Sequence, residues 1–268
     1  MSECIKLQCQ QAVARVTLHN PKRFNAMSRA MWCELKSVFE AIAQDPGLRC
    51  VVVTGTGAHF CAGGDISEYP QFRFDPASLR EFHEQDVWGA LQAILDCDLP
   101  VLAKIRGNCM GAGLEIASCC DIRLAAAGAH FGAPIARLGF PMAPQEAALV
   151  SAEVGKTTAR QMLLEAAVLS APEMLARGFL TRVVADEALA EHTHATLLRM
   201  LALSPLAARL NKQTFRRKNW VLDHMNQAQN ATTNEPTDLP GADAYAYATH
   251  TEHREGISAF LDKRPPAF

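Results

Sequence analysis

Two glycine-bearing segments contain the residues whose types and spacing are suited to chemistry. The first is HFCAGGDI, His59–Ile66, and the second is NCMGAGLEIASCCDI, Asn108–Ile122. Each follows an apolar run, so the chain leaves a predicted buried strand and turns at once. Turns at Gly63-Gly64 and at Gly111-Ala112-Gly113 can leave a backbone N–H without an acceptor, which favours nearby negative charge. Two such groups aimed at one point would form an oxyanion hole.

A carboxylate follows the second glycine cluster at helical spacing. Glu115 lies three residues after Ala112, so on a helix both residues share one face. A carboxylate beside an oxyanion hole is the arrangement that proton transfer next to a carbonyl group requires. A purely structural interpretation also fits, in which the glycines allow close packing and Glu115 is a surface residue. The residue pattern by itself leaves both interpretations open.

Other catalytic arrangements are poorly supported by the motifs. Gly107-x3-Gly111-x-Gly113 follows a strand, but its spacing is not the G-x-G-x-x-G of dinucleotide-binding folds. Neither a P-loop nor a G-x-S-x-G nucleophile elbow occurs in the sequence. Cys61 and His59 are two residues apart, but a third group that would orient them is not evident. The histidines are scattered without the spacing of metal ligands, so no metal site is predicted.

The composition is that of an ordinary globular protein. The 268 residues are 49% hydrophobic and 20% charged, and the formal net charge of -2 argues against nucleic acid as a partner. Nine cysteines without a C-x-x-C pair argue against a disulfide framework, and we expect most of them to be buried thiols. The sequence shows neither a signal peptide nor an apolar run long enough to span a membrane. We therefore expect a cytoplasmic location without a membrane partner.

Hydrophobic periodicity predicts the elements that must position the two glycine segments. Strands are predicted over residues 4–9, 13–18, 50–54, 100–107 and 181–185. Ser28 is a candidate cap for a helix that runs to about Asp45, and a second helix is predicted over 78–95. From Glu146 onward helical patterns dominate. The order ββα, βα, βα and then helices predicts an α/β fold.

Several segments resemble one known family. HFCAGGDI, RGNCMGAGLEIASCCDIRLAA and HFGAPIARLGFP are similar to the crotonase (enoyl-CoA hydratase/isomerase) superfamily, as are NPKRFNAM near the start and REGISAFLDKRPPAF at the end. The resemblance follows the chain in order over nearly its whole length. It implies a spiral of ββα units over residues 1–195 that contains the substrate site. It also implies a helical region over 196–268 that packs subunits into a homotrimer or into a hexamer, a dimer of trimers.

The same resemblance implies an acyl-CoA thioester as the substrate. No permanently bound cofactor is expected, because coenzyme A arrives as part of that substrate. By motif, the two oxyanion N–H groups fall on Gly64 and Ala112, and Asp65 is expected to brace its turn rather than to react. Contacts with coenzyme A are implied for Lys22, Arg23, Asn25, Ala26, Cys61, Ala62, Gly63, Asp65, Ile66, Phe260 and Lys263.

The family's two catalytic glutamates are matched only in part. Glu115 matches the first glutamate of the hydratases, but the position that holds the second is Ile135. An isoleucine makes a pocket drier and raises the pKa of a nearby carboxyl group. We therefore expect Glu115 to act alone as the proton carrier in hydration or dehydration of an enoyl-CoA or 3-hydroxyacyl-CoA. Double-bond isomerisation, decarboxylation and a non-catalytic acyl-CoA-binding role are the alternatives.

Two charged residues near the altered segment are candidate replacements for the missing glutamate. They are Arg137 and Glu146, although a surface position is the simpler expectation for each. Side chains of the acyl pocket are expected from Ile135, from the loop after the first glycine segment and from the helix that follows it. These loop and helix residues are Tyr69, Phe72, Phe74, His83 and Trp88.

Overall fold

The computed structural model describes residues 4–228 and 245–268 and divides the chain into two compact units. The first unit ends at Leu198 and the second begins at Arg199. The first unit contains both glycine-bearing segments. No helix of the described residues is both long and apolar enough to cross a membrane.

A six-stranded sheet forms the centre of the first unit. Its strands are β1 (Ile5–Gln10), β2 (Val13–Leu18), β3 (Cys50–Gly55), β4 (Val101–Ile105), β6 (Ile122–Ala126) and β9 (Arg182–Val184), in that spatial order. β1 and β2 form an antiparallel hairpin, and all the later pairs are parallel. The five strands predicted from the sequence are therefore confirmed, with ends that differ by a residue or two.

Burial along the strands explains their sequence patterns. In β2, Ala14, Val16 and Leu18 are fully buried while the residues between them are half-buried, which is the alternation of a strand with one core face. In β3, Cys50 through Val53 are all buried, as expected for a central parallel strand covered on both faces. Six of the nine cysteines are buried, so the expectation of buried thiols is confirmed.

Helices pack on this sheet and against one another. In α1 (Arg29–Gln44), the Ser28 side chain accepts a hydrogen bond from the Met31 N–H, which confirms the predicted cap. The predicted helix over 78–95 is instead α2 (Pro76–Glu81), a π-helical segment (Phe82–Val87) and α3 (Trp88–Asp96). The sequence periodicity predicted one continuous helix and did not resolve the π-helical segment within it. Such turns often occur at functional sites.

A second, three-stranded sheet was not predicted as such. It consists of β5 (Asn108–Met110), β7 (His130–Gly132) and β8 (Val168–Ser170), with β7 in the middle. β5 and β7 are parallel, and β7 and β8 are antiparallel. Strands of three residues are too short to show an alternating pattern, which is why β5 and β8 were missed.

The remaining helices of the first unit follow the second sheet or connect it to the first. They are α4 (Ala112–Ser118), α5 (Pro144–Val154), α6 (Lys156–Leu164), α7 (Ala171–Ala176) and α8 (Leu189–Leu201), the last of which extends past the unit boundary. α4 is buried along its whole length and packs against α5. The glycine-bearing start of α4 is therefore held inside the unit.

Within the second unit, α9 (Pro205–Ala228) and α10 (Thr251–Leu261) are joined by one carboxylate. Glu252 accepts hydrogen bonds from the Ser204 hydroxyl at 2.5 Å and from the Leu206 N–H at 3.0 Å, so α10 supplies the cap at the start of α9. Phe260 and Lys263, expected to contact coenzyme A, belong to this unit, and both are exposed.

Gly107 and Gly57 provide a test of how tightly the loops after β3 and β4 are packed. Both have positive φ, +57° and +74°. A β-carbon on Gly107 would collide with the Ala58 carbonyl oxygen and lie 2.6 Å from His59 Nδ1, whereas one on Gly57 would meet nothing within 4 Å. Gly57→Ala should cost about 1 kcal/mol of unfolding free energy from backbone strain alone, and Gly107→Ala roughly 3 kcal/mol. Urea denaturation measures both values, and equal losses would contradict this packing.

Candidate active site

The topology of the main sheet brings the two glycine segments together. β3 and β4 are neighbouring parallel strands, so the segments that follow them leave the same edge of the sheet. Beyond that edge Cys61 pairs with Cys109 of β5: the Cys61 N–H donates to Asn108 O, and the Met110 N–H donates to Cys61 O, both at 2.9 Å. The first glycine segment thus extends the second sheet by one short bridge.

The backbone around Gly64 leaves one N–H unused. Met27 N–H donates to Gly63 O and Asp65 N–H donates to Met27 O, both at 2.8 Å. Gly64 lies between these two bonds, and its own N–H has no acceptor among the described residues. A β-carbon on Gly64 would collide with the Tyr69 hydroxyl, so a glycine is needed here to make room for Tyr69. The close approach at this glycine is therefore made by a side chain of the protein.

A second unused N–H lies at the start of α4. Gly111 has φ +46° and donates its N–H to Gly132 O at 2.9 Å, after which the chain enters the helix at Ala112. The first N–H groups of a helix have no acceptor within that helix, and the Ala112 N–H finds none elsewhere in the described part of the chain. Only a glycine fits at position 113, because a β-carbon there would lie 2.8 Å from both Cβ and O of Cys61.

Gly64, Ala112 and Glu115 line one cavity of about 250 Å³. Most of its wall is apolar. The large apolar side chains of the wall are Trp32, Ile66, Phe82, Val87, Met110, Ile135, Leu138, Phe140 and Met142. Tyr69, Arg73, His83 and Glu115 are its polar side chains. A mostly apolar cavity with a few convergent polar groups is typical of a small-molecule site.

Glu115 is the buried carboxyl group of this cavity. It lies in the first turn of α4, and its side chain accepts no hydrogen bond from the described residues. Burial raises the pKa of Glu115 to about 8, and the nearby Glu146 carboxylate adds to the shift. A carboxyl group with such a pKa exchanges protons near neutral pH, which suits a general base or acid.

Glu146 is buried, so the expectation of a surface charge was wrong for this residue. It lies in the first turn of α5, and its side chain is only 2% exposed. Its Oε1 lies 3.0 Å from Nδ1 of His83, which comes from the π-helical segment and lines the cavity. The sequence contains no local signal for this pair, because the two residues are 63 positions apart. Arg137 is exposed, and it donates to Ala166 O at 3.4 Å.

The residues expected to contact coenzyme A divide into exposed and buried groups. Lys22, Arg23 and Ile66 are exposed, and Ala62, Gly63 and Ile66 line the cavity. Asn25, Ala26 and Cys61 are buried. The Asn25 amide donates to the carbonyl oxygens of Thr56 and His59 at 2.9 and 2.8 Å, so this side chain holds the loop after β3 and cannot face a ligand.

Asp65 braces its turn, as expected from the sequence. It accepts hydrogen bonds from the Ser67 N–H at 3.1 Å and from the Ser67 hydroxyl at 2.6 Å. The Arg23 guanidinium also donates to Asp65, at 3.2 Å, and so links the first loop to the glycine turn.

Cys61 and His59 do not form a nucleophile–base pair. Burial raises the pKa of the Cys61 thiol to about 12, and its Sγ donates to Gly63 O at 3.5 Å. His59 uses Nδ1 to accept a hydrogen bond from the Asn108 N–H at 3.1 Å. Both side chains therefore serve the structure of the two loops.

Three of the aromatic residues proposed for the acyl pocket take other positions. Tyr69 and Ile135 line the cavity as expected. Phe72 lies behind its wall, 4.6 Å from the Phe82 ring, and Trp88 packs half-buried against the core. Phe74 is 84% exposed and points away from the core. Arg73 was not considered in the sequence, although a cation among Tyr69, Phe72 and Phe74 is an unusual feature in a loop.

Comparisons with known proteins identify the family of the chain. A family model described as enoyl-CoA hydratase/isomerase matches residues 8–268. The chain is 32% identical over 269 residues to the 2,3-dehydroadipyl-CoA hydratase of Escherichia coli, covering 100% of this chain and 99% of that protein. It is 30% identical over 270 residues to the crotonyl-CoA hydratase of Syntrophomonas wolfei, covering 99% and 98%. A solved enoyl-CoA hydratase/carnithine racemase from Magnetospirillum magneticum matches with a TM-score of 0.89 and 34% identity, covering 100% and 96%.

The mixed α/β architecture with its helical C-terminal part is the crotonase fold, so the predicted fold class is confirmed. The chain belongs to the enoyl-CoA hydratase/isomerase family and is an enzyme of the lyase or isomerase type.

Proposed function

We propose that the protein catalyses the reversible addition of water to the double bond of a 2-enoyl-CoA thioester. The observation that carries this proposal is the placement of Glu115, a buried carboxyl group without a hydrogen-bond partner in the described residues, in one cavity with two unused backbone N–H groups. The names of the two hydratases reported above support hydration as the reaction.

The two N–H groups form the oxyanion hole in this proposal. Gly64 and Ala112 donate to the thioester oxygen, which gains negative charge as the enolate forms. Both groups are fixed by neighbouring backbone hydrogen bonds, so they need no rearrangement during the reaction. Loss of one such donor typically costs about 3 kcal/mol of transition-state stabilisation.

Glu115 carries the proton. Its carboxylate takes a proton from water as the water oxygen bonds to the β-carbon, and the electron pair of the double bond moves to the enolate oxygen. The protonated Glu115 then delivers that proton to the α-carbon on the same face, which restores the carboxylate. One carboxylate thus completes both proton transfers, as Ile135 in the second glutamate position requires.

His83 and Glu146 hold the attacking water. A carboxylate at Glu146 accepts from Nδ1–H of His83, which leaves Nε2 as the ring nitrogen that can accept a hydrogen bond from water. His83 lines the same cavity as Glu115. This pair supplies the polar contact that the isoleucine at position 135 cannot provide.

Double-bond isomerisation is the second candidate. The feature that favours it is Ile135 together with the apolar wall, because a single carboxylate can move a proton between the α- and γ-carbons without water. His83 has no role in such a reaction, so variants of His83 separate the two candidates.

Three features remain predictions: binding of the coenzyme A part, assembly into a homotrimer or hexamer, and a cytoplasmic location. Lys22 and Arg23 are exposed cations on the loop that Asp65 links to the glycine turn, which suits contacts with phosphate groups. Phe260 and Lys263 are proposed to make further contacts with coenzyme A. Light scattering of the purified protein distinguishes a trimer from a hexamer.

Replacing Glu115 by Gln should lower kcat for hydration about 10²–10⁴-fold, because the general base is lost while the shape of the side chain is kept. Hydration is followed by mass spectrometry as addition of water from H₂¹⁸O, a readout that isomerisation does not give. Binding of coenzyme A, measured by calorimetry, should be retained. For the wild type, kcat/KM should rise with pH up to about 8 and then level off, because Glu115 must lose its proton to act as the base.

Glu165→Gln is the control for that experiment, because Glu165 is an exposed carboxylate outside the cavity. Its hydration rate should match that of the wild type. Full turnover by Glu115→Gln would contradict the proposed role, and so would a pH profile that Glu115→Gln leaves unchanged.

His83→Asn should lower the ratio of hydration to α-proton exchange about 10²-fold, because the water loses its positioning contact while Glu115 stays in place. Exchange is measured with a saturated acyl-CoA in D₂O, which requires no attacking water. Glu84→Gln, the adjacent residue on the same π-helical segment and an exposed partner of Arg80, should leave the ratio unchanged. If His83→Asn lowers hydration and exchange equally, its role is only structural.

A further inference from the structure

Arg73 occupies an unusual position in the wall of the cavity. It lies just after the 3₁₀ segment Ile66–Gln71, and its N–H donates to Tyr69 O at 2.8 Å. The guanidinium carbon lies 3.6 Å from the centre of the Phe140 ring and 4.6 Å from the centre of the Tyr69 ring. Two aromatic rings thus hold the planar cation in one orientation.

The charge of Arg73 has no counterion among the residues that the structure describes. No carboxylate of the described residues forms an ion pair with it, and its Nη1 is buried without a hydrogen-bond partner in that part of the chain. Arg23 and Arg29 of the same unit, in contrast, form ion pairs with Asp65 and Asp86. A buried unsatisfied donor is costly, so this one calls for a partner that binds in the cavity.

The guanidinium is charged in this environment. Burial lowers the pKa of Arg73, but a guanidinium starts from a value so high that it stays protonated in proteins. The apolar wall strengthens the attraction of the guanidinium for an anion, since few water molecules compete there for its N–H groups. A planar fork of N–H donors suits a carboxylate in particular.

Tyr69 links Arg73 to the part of the cavity that contains the Gly64 N–H. Its hydroxyl lies against Gly64, and its ring lies beside the guanidinium. An anion held by Arg73 is therefore about one tyrosine side chain away from the Gly64 N–H. The apolar wall between these points suits a short run of carbon atoms.

We propose that the acyl group of the substrate ends in a carboxylate that Arg73 binds, so that the enzyme acts on short dicarboxylic acyl-CoA thioesters. This inference rests on the proposed function for its choice of an acyl-CoA. A phosphate group of coenzyme A offers similar anionic oxygens, and the experiment must separate it from an acyl carboxylate.

Matched pairs of thioesters test the proposal. Glutaconyl-CoA and trans-2-pentenoyl-CoA have equal chain length and differ in the terminal carboxylate, and kcat/KM is measured for both. Glutaryl-CoA and valeryl-CoA are the saturated pair, and their binding is measured by calorimetry without any turnover. The wild type should prefer the carboxylated member of each pair. Arg73→Met should lower this preference about 10- to 100-fold, and Arg73→Lys should lower it less.

Control variants and control outcomes distinguish the possible reasons for a negative result. Arg137→Met removes an exposed cation that does not line the cavity and should keep the preference. The readout is the ratio between the two thioesters of a pair, measured on one preparation. An unfolded fraction of a variant therefore does not change this ratio. A wild type without preference overturns the proposal, and so does an Arg73→Met variant that keeps the preference. An Arg73→Met variant that weakens the binding of both saturated thioesters equally also overturns it, because that result indicates a contact with a phosphate group of coenzyme A. Preference in binding without turnover of any thioester supports the role of Arg73 and contradicts the proposed reaction.

Discussion

The parallel pairing of Cys61 with Cys109 is the contact that the site depends on. It holds the loop after β3 against β5, and β5 leads directly into α4. Gly113 allows α4 to contact Cys61, and Asn25 ties the other side of the loop to the carbonyl oxygens of Thr56 and His59. Because these contacts are made by backbone atoms and buried side chains, the N–H groups of Gly64 and Ala112 are fixed without using either of them.

The electrostatics of the cavity follow from its mostly apolar wall. Burial in an apolar wall raises the pKa of Glu115, and Nη1 of Arg73 has no hydrogen-bond partner within residues 4–228 and 245–268. The His83–Glu146 pair adds polar atoms at the same cavity, and Glu146 adds negative charge near Glu115. In water each of these groups would be solvated and weakly interacting. In the cavity they act on any ligand that displaces water, which is why a few polar side chains can determine both reaction and substrate.

The sequence predicted the main sheet, the cap at Ser28 and the cavity positions of Gly64, Ala112 and Glu115, because these depend on local patterns and on motifs. The burial of Glu146 could not be predicted, since it depends on contact with His83, which is distant in sequence. Asn25 was assigned to the ligand surface because its motif lies there, yet its side chain faces the loop carbonyl groups. Arg73 was missed because loop residues show no periodicity, and its significance depends on Phe140, which the chain reaches much later.

The most direct test of the account is α-proton exchange, which requires only an enolate and a proton carrier. A saturated acyl-CoA is incubated with the wild-type protein in D₂O, and mass spectrometry follows deuterium uptake at the α-carbon. The account predicts uptake with the wild type and none with Glu115→Gln, although both bind the thioester. Measurable binding without uptake by the wild type would contradict enolate stabilisation in this cavity. Equal uptake by both proteins would contradict the role of Glu115.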